Sequence, residues 1–141
     1  MRDRAALLRE FFERVWNTGD LDAVARFVAP AYTIHSDPGD PWDGQTLDLD
    51  GFRHRLSVSR SPFPDLTFTL GEMVAEGDRV AVSWRMRGTH TGPLGTLPPT
   101  GRTIDVAGLT IYSFEGDRVS GHRQVVDRLA VLRQLGLLGG G

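Results

Sequence analysis

The sequence predicts an α+β fold in which helices come first, a mainly antiparallel sheet follows, and one more helix ends the domain. Apolar residues recur every three to four positions in the first part of the chain, which is the period of a helix buried on one face. Between Leu66 and Val126 apolar and polar residues alternate, as they do in strands with one buried face. After Asp127 the helical period returns.

The first two helices are predicted from their end signals. One helix is predicted over residues 3–17, and Gly19 ends it. Asp20 is a suitable N-cap for a second, short helix, which Pro30 ends. The inner faces of these helices are predicted to consist of Leu7, Leu8, Phe11, Phe12, Val15, Trp16, Leu21, Val24, Phe27 and Val28.

A short extended piece over residues 32–35 leads into a loop, residues 36–44, that is rich in Pro, Gly and Asp. We expect this loop to close over a pocket. Asp50 is expected to cap a third helix. That helix stops by Pro62, because the residue before a proline avoids the helical conformation.

Four long strands follow from the alternation. The first strand starts at Leu66, and the other three cover residues 80–87, 104–114 and 119–126. Turns are predicted at 76–78 and 115–117, and a Gly/Pro-rich loop over 88–102. The last helix begins at Asp127 and ends at Gly136. We expect a frayed tail over 137–141 and one domain over 1–141.

The composition excludes several kinds of chemistry. With no cysteine there is no disulfide, thiolate metal site or cysteine nucleophile. All 16 basic residues are arginine, so a Schiff-base lysine is excluded too. The net charge of −2 gives no reason to expect a nucleic acid or a membrane surface as partner. The four histidines lack the short spacings of a metal site. No apolar run is long enough for a signal peptide or membrane span, which predicts a cytoplasmic protein.

Four segments together carry a resemblance to a known family. They are VWNTGDLDAVARFVAPAY (15–32) with His35 after it, FPDL (63–66), GTHTGPLGTLPPTGRTI (88–104) and GDRVSGHRQVVDRLAVLRQLG (116–136). The chain resembles the SnoaL-like polyketide cyclases, of the cystatin-like α+β barrel group that includes nuclear transport factor 2 and ketosteroid isomerase. The resemblance extends over nearly the whole sequence.

The resemblance implies a cone-shaped barrel, with N-terminal helices packed on a strongly curved, mainly antiparallel sheet that encloses a hydrophobic pocket. It implies an enzyme without cofactor or metal that closes a ring of an aromatic, anthracycline-type polyketide by intramolecular aldol condensation. In such enzymes a carboxylate removes an acidic C–H proton, and surrounding polar groups stabilise the enolate.

The chain departs from this family at both principal catalytic positions. Gln124 stands where the resemblance places the acid/base aspartate, and Thr110 stands where it places an assisting histidine. A glutamine amide cannot take a proton from a substrate. Two other functions therefore stay open. One is a hydroxylase of the same family, supplied with electrons by a reduced substrate or a partner reductase. The other is a non-catalytic small-molecule binding protein.

Five residues are candidates for chemistry. His122 and Gln124 share strand parity, so both face the pocket if either does. Asp127 is either the N-cap of the last helix or a base at the pocket rim. His35 is either a neutral imidazole base or a structural histidine of the 36–44 loop. Asp105 is either a pocket carboxylate or an exposed residue paired with an arginine.

Aromatic and polar side chains on the same strands are expected to bind the substrate, since flat rings stack on a flat ligand. These substrate-binding candidates are Tyr32, Trp42, Phe68, Trp84, Met86, Thr110 and Tyr112. The opposite sheet face, with Arg85, Arg87 and Ile111, is predicted to pair with a second copy in a homodimer.

Overall fold

The structure, a computed structural model, describes residues 3–138. Four helices pack on a curved six-stranded sheet in the α+β arrangement that the sequence predicts. The helices are α1 (Arg4–Phe11), α2 (Val24–Phe27), α3 (Leu49–Arg60) and α4 (Arg128–Gln134). The strands are β1 (Val28–Ser36), β2 (Thr46–Leu47), β3 (Thr67–Glu76), β4 (Arg79–Thr89), β5 (Thr103–Glu115) and β6 (Arg118–Val126).

Helix α1 continues without a break into a wider π-helical turn, Phe12–Asn17, and together they bury the apolar face predicted for the first helix. Asn17 ends this segment and fixes it to β3. Its side-chain oxygen accepts from the Phe68 N–H at 2.7 Å, and its amide nitrogen donates to the Phe68 carbonyl at 3.2 Å. This two-way link places the Phe68 ring against Phe12 and Trp16.

Strand β1 replaces the end of the predicted second helix. Val28 and Pro30 lie in this strand rather than at a helix end. A proline is tolerated there because the pairing of β1 with β6 shifts register between Val28 and Thr33, so no ladder bond is required at Pro30. The strand is longer than the predicted piece at 32–35, and it runs parallel to β6.

The sheet order β2-β1-β6-β5-β4-β3 places the first strand of the chain beside the last. Ile34 and His122 are register partners in the parallel pair of β1 and β6, although 88 residues separate them in the sequence. The remaining strands form the antiparallel meander that the alternation predicts. The site described below depends on this one parallel pairing.

Helix α3 carries a charged side chain into the interior. Asp48, rather than the predicted Asp50, is its N-cap and accepts from the Gly51 N–H at 2.7 Å. The buried face consists of Phe52, Leu56 and Arg55, and Arg55 is only 4% exposed.

Helix α4 buries little of its apolar surface. Leu129 and Leu132 are exposed, and only Leu135, which follows the helix, is fully buried. The Leu137 N–H donates to the Leu132 carbonyl at 2.9 Å. Residues 139–141 of the tail predicted to fray lie outside the described residues. Among residues 3–138, no helix has the length and apolar character needed to cross a bilayer.

Gly108 provides space for a key aromatic ring of the core. It is level with Trp84 on the neighbouring strand, and a Cβ at Gly108 would overlap the indole of Trp84. Trp84 is buried, and its ring packs edge-on against Phe68. The missing side chain at Gly108 therefore determines where the indole lies.

We expect Gly108→Ala to lower the free energy of unfolding by about 1–3 kcal/mol, because the indole of Trp84 must move out of a close-packed position. Thermal and chemical denaturation measure this change. Ala107→Ser, on the exposed face of the same strand, is the matched control and should change stability by less than about 0.5 kcal/mol. Equal effects of the two substitutions would contradict the packing argument.

Candidate active site

A cavity of about 250 Å³ lies between the concave face of the sheet, the N-terminal helical segment, α3 and the loop after β4. Its walls are mainly apolar and include Phe12, Trp16, Phe68, Trp84, Met86 and Leu94. A group of polar side chains lies on one side, formed by Tyr32, Arg55, Tyr112, His122 and Gln124. Water-excluding walls beside a few polar groups are typical of small-molecule sites.

The structure brings most of the sequence-predicted site residues to this cavity. His122 and Gln124 line it, as do the substrate-binding candidates Tyr32, Trp42, Phe68, Trp84, Met86 and Tyr112. Thr110 is fully buried behind the wall, where it contacts Trp84 and Gln124 rather than the cavity itself.

Sequence reasoning missed the central residue, Asp37. Its side chain is fully buried directly behind His122 and Gln124. Its Oδ2 accepts from His122 Nε2 at 2.8 Å and from Gln124 Nε2 at 3.1 Å. Arg55 Nη2 lies 3.3 Å from Oδ2, and Arg128 Nη2 lies 3.3 Å from Oδ1. We call Asp37 with Tyr32, His122, Gln124, Arg55 and Arg128 the Asp37 network.

The loop between β1 and β2 holds Asp37 in place. The Asp37 N–H donates to Asp43 Oδ1 at 2.7 Å, and the Asp40 N–H donates to the Asp37 carbonyl at 2.9 Å. Gly39 has a positive φ of 91°, and a Cβ there would collide with the side chain of Arg128. A glycine at this position lets the guanidinium of Arg128 pass across the loop to reach Asp37.

The Asp37 carboxyl is ionised in the folded protein. Burial raises its pKa, but the hydrogen bond from His122, together with the charges of Arg55 and Arg128, outweighs burial and lowers the pKa below its usual value. An ionised carboxylate only accepts hydrogen bonds. His122 Nε2 therefore carries the proton in the bond to Asp37.

The other ring nitrogen of His122 accepts a short hydrogen bond. Tyr32 Oη lies 2.5 Å from His122 Nδ1. Burial lowers the pKa of His122, more than the bond to Asp37 raises it, so the imidazole is neutral near pH 7. Burial also raises the pKa of Tyr32 well above its usual value. Tyr32 is therefore the donor to Nδ1, and the three side chains form a directed chain from Tyr32 through His122 to Asp37.

The orientation of the Gln124 amide is fixed by a second chain of donors. Trp84 Nε1 donates to Thr110 Oγ1 at 2.9 Å, and the Thr110 hydroxyl donates to Gln124 Oε1 at 2.6 Å. Because the amide oxygen accepts the hydrogen bond from Thr110, the NH2 group must face Asp37 and the cavity.

The charges of the site balance. Arg55 is buried against the Trp16 ring and bridges Asp37 and Asp40 at 3.3 and 3.0 Å. Arg128 supplies the second positive charge. With His122 neutral, two guanidinium groups offset two carboxylates, so the buried charges pair with each other rather than remain isolated.

Three catalytic candidates from the sequence do not reach the cavity. His35 is exposed, because it follows the buried Ile34 and adjacent residues of a strand point to opposite faces. Asp105 lies on the outer face and pairs with Arg85 and Arg87 at 2.8 and 3.2 Å. Asp127 is the exposed N-cap of α4 and accepts from the Ala130 N–H at 3.0 Å.

Within residues 3–138 no three side chains of the histidine, aspartate or glutamate types converge in a way that suits a metal ion. The polar groups of the site contact one another and the cavity instead. The site thus offers hydrogen bonding and proton transfer by side chains.

Asp37 gave only a weak signal in the sequence. An aspartate in a loop rich in Pro, Gly and Asp is usually a turn residue. The useful signal is its position just after a strand whose end lies beside His122. That signal becomes readable only once the pairing of β1 with β6 is known.

Comparison with known proteins identifies relatives of this fold and sequence. Residues 6–135 match the model of the SnoaL-like polyketide cyclase family. A candidate polyketide cyclase from Acidithiobacillus ferrooxidans is 39% identical, with a TM-score of 0.90 and 96% of each chain covered. IdmH, a candidate polyketide cyclase from Streptomyces antibioticus, is 30% identical, with a TM-score of 0.81, and the match covers 96% of this chain and 99% of IdmH.

AclR, a candidate hydroxylase from Streptomyces galilaeus, is 25% identical, with a TM-score of 0.79, and the match covers 98% of this chain and 83% of AclR. A search of curated proteins found no match. The structural relatives therefore include proteins described as cyclases and one described as a hydroxylase, the two reaction types that the sequence left open.

We expect the free energy of unfolding to decrease as the pH falls below about 6.5. The folded protein holds the His122 pKa below its value in the unfolded chain, so the unfolded chain binds a proton that the folded protein does not. Stability is fully present above about pH 6.5 and decreases by up to about 1.4 kcal/mol per pH unit below it.

Urea denaturation at several pH values measures this slope. His122→Gln should flatten it, whereas His54→Gln, at an exposed position of α3, should leave it unchanged. An unchanged slope in His122→Gln would show that His122 is not the group that titrates.

Proposed function

The chain belongs to the SnoaL-like polyketide cyclase family, and on that premise we propose that it closes a ring of an aromatic, anthracycline-type polyketide by intramolecular aldol condensation, without a cofactor. The observation that carries this proposal is the directed chain from Tyr32 through His122 to the buried carboxylate of Asp37. These three side chains supply a proton acceptor beside an apolar cavity, a role that Gln124 cannot fill.

Among these three side chains, Tyr32 is the one that accepts the substrate proton. Both nitrogens of His122 are engaged, so a proton from the cavity enters through the oxygen of Tyr32. As that oxygen takes the proton, its own proton passes to His122 Nδ1. The imidazolium that forms is stabilised by the Asp37 carboxylate. A buried aspartate stabilises an imidazolium in the same way in the catalytic triads of hydrolases, although the hydroxyl there is a nucleophile.

The complete reaction balances without an added oxidant or reductant. The substrate C–H bond breaks, its electron pair is delocalised as an enolate, and the carbanion attacks a ketone carbon to form the new C–C bond. The π electrons of the ketone pass to its oxygen. That alkoxide takes back one proton, returned from His122 through Tyr32, and no net charge or electron is gained.

The cavity fits a flat, apolar substrate. Phe68 and Trp84 present rings to it, and its lining is mainly apolar. A volume of about 250 Å³ is below the usual range for drug-sized ligands, which starts at about 300 Å³. The reacting ring is enclosed, and the rest of a polycyclic substrate extends past the exposed side chains of Val58 and Leu94.

A hydroxylase is the second candidate, favoured by one observation: Gln124 is an amide where an aldol cyclase needs an acid. Hydroxylation would convert a C–H bond and O2 to a C–OH group and water, with two electrons and two protons. A reduced, electron-rich substrate or a partner reductase would supply those electrons. The apolar cavity would hold the substrate against oxygen, and the Asp37 network would stabilise the ionised form of a phenol.

Replacing members of the proton-transfer chain should lower kcat for ring closure of an aromatic polyketide methyl ester. We expect Tyr32→Phe, His122→Gln and Asp37→Asn each to reduce kcat by about 10²–10⁴-fold, because each interrupts the same transfer. The double variant Tyr32→Phe/Asp37→Asn should lose little more than either single variant. Product formation is followed by chromatography.

Asp105→Asn, on the outer face, is the control and should retain kcat. Full activity in Tyr32→Phe would exclude the proposed transfer. A product one oxygen atom heavier, formed only in the presence of O2, would favour the hydroxylase. Tight binding with neither product would identify a binding protein.

The proposal includes a homodimer in the cytoplasm, formed through the outer face of the sheet. Leu109, Ile111 and Val125 from adjacent strands are exposed there, and Leu109 is level with Val125. The Arg85–Asp105 pair borders these apolar side chains. An exposed apolar patch with a charged border is a common form of protein interface.

We expect Leu109→Asp to convert the dimer to a monomer in sedimentation equilibrium, because it places a charge in the apolar centre of the interface. Leu129→Asp, at an exposed position of α4, is the matched control and should remain dimeric. A wild-type protein that sediments as a monomer would refute the dimer.

A further inference from the structure

An open groove continues the cavity beyond its mouth. It lies between the second half of α3 and the loop after β4, and it has a volume of about 410 Å³. Val58, Pro62 and Leu94 line both the groove and the cavity, so one ligand can occupy the two together. Because the cavity itself holds only about 250 Å³, the groove is the space into which a longer ligand extends.

Backbone contacts hold the loop after β4 against the end of α3. The N–H groups of Thr91 and Gly92 both donate to the Pro62 carbonyl at 3.1 Å. A Cβ at Gly92 would overlap the Ser61 carbonyl oxygen, so a larger residue there would push the loop away from the helix. These contacts fix the width of the groove.

One wall of the groove is a polar stripe of α3 and its C-terminal end, formed by His54, Ser57 and Ser61. These residues recur at intervals of three to four positions, so they lie along one face of the helix. Among residues 3–138, no protein group hydrogen-bonds to the two serine hydroxyls or to the His54 ring. Trp42, which lines the cavity, packs edge-on against the His54 ring, with the two centroids 6.1 Å apart. The polar stripe therefore offers unused donors and acceptors directly beside the cavity mouth.

The groove offers no ion-pair partner. Within the described part of the chain, no arginine, aspartate or glutamate lines it. Arg53 of α3 pairs instead with Asp50 at 3.0 Å. Arg60 donates to the carbonyls of Pro64 and Leu66. An anionic substituent in the groove would lose hydration without gaining a cation, whereas a hydroxyl group would exchange water for the polar stripe.

We propose that this groove binds an uncharged ring that carries hydroxyl groups, either a further ring of the substrate or a sugar attached to it. The polar stripe binds the hydroxyl groups, and the apolar side chains at the cavity mouth pack against the C–H groups of the ring. The inference rests on the proposed function in one respect: it takes the reacting ring to lie in the cavity. The substrate class is then a flat apolar ring system joined to a neutral, hydroxylated ring.

The test is titration calorimetry with 2-naphthyl ethers, which share one flat end and differ in the other. The second ring is glucose in the β-glucoside, 4-hydroxycyclohexyl in a second probe and cyclohexyl in a third, and 2-methoxynaphthalene has no second ring. Both hydroxylated probes should bind more tightly than 2-methoxynaphthalene. The 2-naphthyl β-glucuronide, which adds a carboxylate, should bind about 10-fold more weakly than the glucoside.

Ser57→Ala and Ser61→Ala should each weaken binding of a hydroxylated probe by about 2–10-fold, as expected for the loss of one neutral hydrogen bond. They should leave the affinities for the cyclohexyl ether and 2-methoxynaphthalene unchanged. Alanine is a strong helix former, so both variants should fold. Ser113→Ala, on the outer face of β5, is the matched control and should not change the affinity for any probe.

Two results distinguish the source of the hydroxylated ring. A serine effect on the glucoside alone would identify a sugar, and an equal effect on the hydroxycyclohexyl ether would identify a ring of the substrate. Equal weakening of all probes, or an unchanged affinity for both hydroxylated probes in Ser57→Ala/Ser61→Ala, would overturn the proposal. Equal affinities for the glucoside and the glucuronide would overturn the assignment to an uncharged group.

The two proposals can fail separately. A selective serine effect in a protein that closes no ring would overturn the aldol function and retain the groove as a binding site. Ring closure of a substrate with a hydroxylated second ring, at unchanged KM in Ser57→Ala/Ser61→Ala, would overturn the groove and retain the aldol function.

Discussion

The buried carboxylate of Asp37 is the interaction on which the rest of the site depends. An isolated charge in the interior is very costly, so Asp37 requires donors from several elements at once. Those donors come from β6, α3 and the start of α4, and each is itself positioned by the charge it contacts. Removing the charge would leave two guanidinium groups and an imidazole without their common acceptor. The network therefore joins the helices to the sheet through electrostatics as well as through apolar packing.

The same arrangement separates two tasks that a single carboxylate performs in a simpler site. The Asp37 carboxylate lies out of contact with the cavity, and the polar part of the lining consists of phenol, imidazole and amide groups beside the paired charges of Arg55 and Asp40. Such a surface remains compatible with an apolar substrate, because its charged groups are paired with one another. Gly39 and Gly108 matter for the same reason, since each leaves space for the side chain of a neighbour that the site needs.

The sequence predicted the parts of this structure that depend on local periodicity. Alternation along the last strand placed His122 and Gln124 on one face, and the helical period found the buried faces of α1 and α3. Asp37 could not be found in this way, because its role depends on the parallel pairing of β1 with β6. Pro30 concealed the start of β1, since a proline is compatible with a strand only where the ladder is irregular. His35 was a candidate from the same segment, but the side-chain alternation of β1 turns it outward.

The parallel pairing of β1 with β6 also has a kinetic consequence. Asp37 and His122 are 85 residues apart in the sequence, so the loop that their contact closes is among the longest in the fold. Contacts of this kind form late, because the entropy of loop closure must be offset before they contribute. Until β6 docks, Asp37 remains hydrated and the cavity lacks one wall. The cavity is therefore complete only when β6 has docked against β1.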